Sequence, residues 1–123
     1  MKKYIDKLKQ QSSYLEKGVN INDVVPSYAM HPGEELLDEL KARSISQKDF
    51  AELSSIHPSQ LNEIIKGKRG INADIALQIG TALNIPAEFW LRSQMFYELT
   101  LAKIRAKEAQ EALKKSSKKL AKV

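Results

Sequence analysis

The sequence predicts an all-α fold. It has five helices, two of them joined as a helix-turn-helix, with an N-terminal arm before this domain and a helical extension after it. Three observations carry the expectation. Apolar residues recur at helical spacing through most of residues 32–104. Helix-opening residues stand ahead of the periodic stretches: Pro32, Ser46, Pro58, Asn72 and Pro86. With 123 residues, 42% hydrophobic and 28% charged, the chain has the make-up of an ordinary globular domain with one modest core. The expected organisation is an arm over 1–30, the helix-turn-helix domain over 31–97 and a basic helix or tail over 98–123.

In the arm, Tyr4, Ile5, Leu8 and Leu15 form one apolar stripe on a predicted helix over roughly 3–17, and Gly18 after Lys17 ends it. Val19 to Val25 is rich in β-branched residues and should be extended, with room for a short edge strand before Pro26 breaks it. The stripe has two readings of equal weight, padding for the core or a surface for a partner.

The first domain helix opens at Pro32, where the missing N–H is not needed. Glu34 and Glu35 suit its positive end, Lys41 and Arg43 its negative end, and Leu36, Leu37 and Leu40 its buried face. The second is capped by Ser46, with Asp49 three residues on, and turns Phe50, Ala51 and Leu53 inward. The third runs from Pro58 towards Gly67 with Leu61, Ile64 and Ile65 buried. The fourth follows the capping residue Asn72 and buries Ile75, Ile79 and Leu83. The fifth starts at Pro86 and buries Phe89 and Trp90. Beyond Tyr97 the pattern thins, and Lys114 to Lys119 is expected to be solvated and to fray.

The segment Ser46 to Gly67 carries the functional expectation. A helix, a short break and a second helix opening on polar residues is the arrangement that presents a rigid helix to the DNA major groove. The small Ala51 allows close approach of the two helices. His57, Ser59, Gln60, Asn62 and Glu63 face outward and are of types that hydrogen-bond base edges. Gln47, Lys66, Lys68 and Arg69 flank them and suit phosphate. The net charge of +5 is a weaker guide, because residues 31–97 carry seven Lys and Arg against nine acids, whereas residues 98–123 carry eight against three.

At this point the residues resemble a family. His31-Pro32-Gly33-Glu34-Glu35-Leu36-Leu37 is similar to the opening of HigA-type antitoxins, a branch of the Cro/repressor-like (Xre) helix-turn-helix family. So are Ser46-Gln47 at the second helix, the run Ile64-Ile65-Lys66-Gly67-Lys68-Arg69-Gly70-Ile71, and Pro86-Ala87-Glu88-Phe89-Trp90-Leu91 followed by Gln94 and Tyr97. The four pieces stand in the family's order across about residues 30–100. Ser54-Ser55 departs from it, since the turn there usually holds Gly. The resemblance implies a repressor-like fold, autorepression of an operon through double-stranded operator DNA, and neutralisation of a RelE/HigB-like ribonuclease toxin. The alternative is a stand-alone repressor with no toxin partner.

A lone recognition helix covers few base pairs, so a homodimer is expected. Phe96, Leu99 and Ile104 exceed the needs of a five-helix core and are the expected dimer contact. Toxin binding is assigned to Tyr4, Ile5, Leu8 and Leu15. No cofactor and no metal site are expected: the chain has no Cys and only two His, His31 and His57. His31 reads as structural and His57 as a cap or phosphate contact. The acids at 34, 35, 38 and 39 read as a solvated face, and Ser54-Ser55 lacks a base that could make it a nucleophile, so an enzyme is not expected. No apolar run long enough for a signal or membrane span is present, which places the expected location in the cytoplasm.

Overall fold

The computed structural model describes Gly18, Asn22 and residues 24–121. Five helices lie among them: α1 Pro32–Ala42, α2 Gln47–Ser54, α3 Pro58–Ile65, α4 Ala73–Leu83 and α5 Ala87–Ala121. Residues 28–99 form one compact unit, and the described residues from 100 onward belong to a second.

Each of the first four helices starts on a side-chain cap that takes up an N–H left unbonded by helical geometry. His31 Nδ1 accepts from Gly33 N at 2.9 Å, Ser46 Oγ from Asp49 N at 3.1 Å, His57 Nδ1 from Ser59 N at 3.2 Å, and Asn72 Oδ1 from Ile75 N at 2.9 Å. Their buried faces meet in a single core. Leu36, Leu40, Phe50, Leu61, Ile64, Ile79, Leu83 and Trp90 are each at most 1% exposed. Arg43 adds a polar tie, donating from Nη1 to the Leu83 carbonyl at 2.8 Å and so joining the end of α1 to the end of α4.

Several expectations need correction. Leu53 is 64% exposed. On α2 the inward face is Phe50, Ala51 and Ser54, and at 100° per residue Leu53 falls on the flank of that arc. Phe89 is 46% exposed, and the core takes Trp90 alone from this pair. Leu37 and Ile65 are only half-buried. Residues 24–30 contain no strand. The arm's stripe (Tyr4, Ile5, Leu8 and Leu15) lies outside the described residues, as does most of the extended run. Finally, α5 does not fray at its lysines but continues to Ala121, with residues 105–118 all exposed.

Candidate nucleic-acid interface

The geometry of the α2–α3 pair begins with its turn. Ser55 adopts the left-handed conformation, φ 59° and ψ 23°, that glycine occupies most easily. Two neighbours stabilise the serine in it. Ser54 Oγ donates to the Phe50 carbonyl at 2.7 Å and accepts from Ile56 N at 3.3 Å. Gln78 Nε2, on α4, reaches the carbonyls of Ser54 and Ser55 at 3.4 and 3.3 Å. The turn therefore keeps its shape without glycine because side chains occupy the backbone groups it frees.

Behind α3, the start of α1 presses on its far end. A Cβ on Gly33 would stand 1.9 Å from the Ile64 carbonyl oxygen, so only glycine permits this approach. Leu61 and Ile64 complete the inner side, and α3 is clamped on two faces while its third side faces solvent.

On that outer side His57 and Ser59 are exposed at the helix start, the ring Nδ1 lying 2.8 Å from Ser59 Oγ. His57 is thus first of all the cap of α3. Gln60, Asn62 and Glu63 are half-buried along the helix. Asn62 Oδ1 accepts from Gln47 Nε2 at 3.3 Å, a bond between the two helices that spacing in the sequence did not reveal. Glu63 holds Arg69 at 2.8 Å, and its carbonyl accepts from the backbone N–H groups of Lys68 and Arg69 at 2.8 and 3.3 Å. Lys66, Lys68 and Arg69 are exposed and gathered on one short loop after α3, and among the described residues Lys66 and Lys68 have no acidic partner. Phe96 and Leu99 lie further along, 65% and 51% exposed, and Ile104 is half-buried.

One titration is displaced near this loop. Burial pushes the His31 imidazole below its ordinary value, outweighing the opposing effects of Glu34 and of a hydrogen bond with the Arg69 backbone. Among the described residues no group of three or more His, Cys, Asp and Glu could hold a metal ion, and no helix is long and apolar enough to cross a membrane.

Comparison with known proteins agrees with this geometry. A family model described as helix-turn-helix matches residues 36–90. Virulence-associated protein I of Dichelobacter nodosus is 40% identical over 75 residues, which cover 60% of this chain and 69% of that protein. The crystal structure of an antidote protein of a plasmid maintenance system from Nostoc punctiforme superposes with a TM-score of 0.65 at 34% identity, over 73% of this chain and 96% of that one. The Pseudomonas aeruginosa antitoxin HigA, solved with its higBA promoter, superposes with a TM-score of 0.62 at 32% identity, over 69% and 94%. With the clamped α2–α3 pair at its centre and these relatives beside it, the chain belongs to the Xre-type helix-turn-helix family and, within it, to the HigA-type antitoxins.

Proposed function

We propose that the protein is a cytoplasmic regulator, not an enzyme, that binds its own operator as a homodimer, represses its operon and neutralises a RelE/HigB-like toxin. The observation that carries the DNA reading is the fixed outer side of α3 with three cations collected at its end. The HigA relative bound to its promoter supports it. Ser59, Gln60 and Glu63 read base edges in the major groove; His57 caps the helix beside them, and Asn62 braces it through Gln47. Lys66, Lys68 and Arg69 meet phosphate.

The test is gel shift on the protein's own promoter across a salt series. Three cations per subunit give about six phosphate contacts in a dimer, so log K falls against log salt with a slope of about −5. Lys68→Ala weakens binding to all duplexes alike, and Gln60→Ala relaxes discrimination at one base pair by ~1–3 kcal/mol. Salt-independent binding, or no binding at low salt, rejects the reading.

The exposure of Phe96 and Leu99 supports the dimer. Sedimentation that finds a monomer at micromolar concentration, unchanged by Phe96→Glu, removes it. Toxin binding rests on the apolar stripe that the sequence predicts for Tyr4, Ile5, Leu8 and Leu15, since a single short helix of that pattern cannot bury it alone. A chain beginning at Pro26 should shift operator DNA yet fail to restrain the toxin. Full neutralisation by that chain assigns the toxin to the helical domain instead.

A further inference from the structure

Three of the four sequence pieces that resemble the family are far apart in the chain, yet they meet at one place. His31 comes from before α1, the loop 66–71 follows α3, and Gln94 and Tyr97 lie on α5. The meeting place is the loop that carries Lys66, Lys68 and Arg69.

Gln94 Oε1 accepts from Ile71 N at 2.8 Å, and its Nε2 donates to Glu98 Oε1 at 3.0 Å, which fixes the amide plane. The amide lies against the Cα of Gly70: a Cβ there would stand 2.9 to 3.1 Å from three of its atoms. Gly70 is thus what lets Gln94 reach the backbone beyond it. On the other side of the loop, His31 is 7% exposed. Nδ1 accepts from Gly33 N, and the ring lies beside the Arg69 backbone, which favours its charged form. The ring edge packs on Tyr97, with centroids 4.7 Å apart and planes at 73°. Gly67, at φ +76°, turns the chain beneath that ring.

We propose that His31 and Gln94 are positioning residues for DNA binding: they hold the backbone of the 66–71 loop so that Lys68 and Arg69 meet the phosphodiester backbone as preset charges. This loop has two glycines and three long cations; its first half is tied to the Ile64 and Glu63 carbonyls, and without further anchors ordering the rest on DNA costs affinity. The anchors settle that cost during folding. Both act through the loop, since His31 is buried and Gln94 half-buried beneath it.

The inference rests on the DNA reading above, and its test separates the two. Gln94→Met in the full chain keeps length and helix propensity but removes the acceptor for Ile71 N. His31→Asn keeps a cap for α1 but removes the ring from the loop. Amide hydrogen exchange and operator binding across a salt series are measured on both. In Gln94→Met the Ile71 amide is expected to exchange at least about tenfold faster, with Leu61 and Ile64 amides unchanged. Operator affinity falls about fivefold to tenfold for all operator variants alike. The salt slope becomes shallower by about 0.9 for each phosphate that is no longer neutralised. Adding Lys68→Ala to Gln94→Met costs much less than it does in the wild type, because the two changes damage one and the same interaction. His31→Asn repeats the pattern with the Arg69 amide region. An unchanged slope with additive losses overturns the proposal, as does exchange that rises uniformly across the domain, the mark of a merely structural role. If the wild type binds no operator at low salt, the reading above falls and this one with it. If the wild type binds and the variants match it, only this one falls.

Discussion

Gly33→Ala puts the tightest approach in the domain to the test. An added Cβ would meet the Ile64 carbonyl oxygen at 1.9 Å and its carbon at 2.8 Å, both of them backbone atoms. Ordinary contact needs at least about 3.4 Å to carbon, so α1 and the end of α3 must part by roughly 1 Å or more. Two effects oppose each other. Alanine gains up to ~1 kcal/mol over glycine in a helix, and overpacking a rigid site costs ~3 kcal/mol or more. The net loss is about 2 kcal/mol at least, or roughly 8–16 °C in Tm for a domain of this size. Trp90 is the single tryptophan and is 1% exposed, so its fluorescence reports the unfolding of this unit alone. Operator affinity should drop with it, because the parted backbone is the support of α3. A Gly33→Ala protein melting within about 2 °C of wild type, which corresponds to less than ~0.5 kcal/mol, would falsify the idea that this approach admits only glycine.

Further expectations concern other positions. Ser55→Gly relieves a left-handed serine and should raise stability by about 1 kcal/mol in thermal melts; no gain means that Ser54 and Gln78 already remove the strain. Leu53→Lys should leave the melt within ~0.5 kcal/mol, since the side chain is 64% exposed, whereas Phe50→Ala should cost ~3–5 kcal/mol in the same assay. His31 links stability to pH. Burial favours its neutral form in the fold, so the unfolded chain binds more protons once pH drops below the ordinary imidazole value of 6.5. Stability should fall as pH declines from there towards the lower folded value, and no further from this group below it. Glu34, Arg69 and Tyr97 face the ring, and none of them is altered in His31→Asn. The wild-type-minus-His31→Asn difference in urea midpoint from pH 8 to 5 therefore isolates the imidazole, and a flat difference rejects the link.

Local chemistry made much of the fold legible in advance. Pro32, Ser46, Pro58 and Asn72 announced helix starts because caps and first-turn prolines act within three residues. Periodicity located Leu36, Phe50, Leu61, Ile64 and Ile79. It failed at Leu53 and Phe89, where hydrophobicity outweighed angle: the small Ser54 and the large Trp90 already fill the space next to the core. The sequence put forward the candidate residues, but the bonds among them were not legible in it. Gln47 to Asn62 and Glu63 to Arg69 depend on how α2, α3 and the loop fold over one another. Gln94 was visible only as a letter in a motif, 23 positions from the amide it holds. The isolated glutamine and the glycine at 70 were the available signal, since a glycine outside a tight turn marks a close approach.

Glu63 and Arg69 hold each other at 2.8 Å, so if Glu63 reads bases and Arg69 meets phosphate, as proposed, operator choice and grip on the duplex are inherited together. A drift to Gln at position 63 alters the reading surface and at the same time releases Arg69 from its counter-ion. The variant clings harder to every duplex while telling them apart less well, and the genome's many competing sites then draw it away from its own operator. Loss of Arg69 alone leaves a bare carboxylate facing phosphate, and binding weakens everywhere. Either single step passes through a poor repressor. Lineages of this protein should therefore move to new operators by paired exchange at 63 and 69, with the two positions changing as a unit.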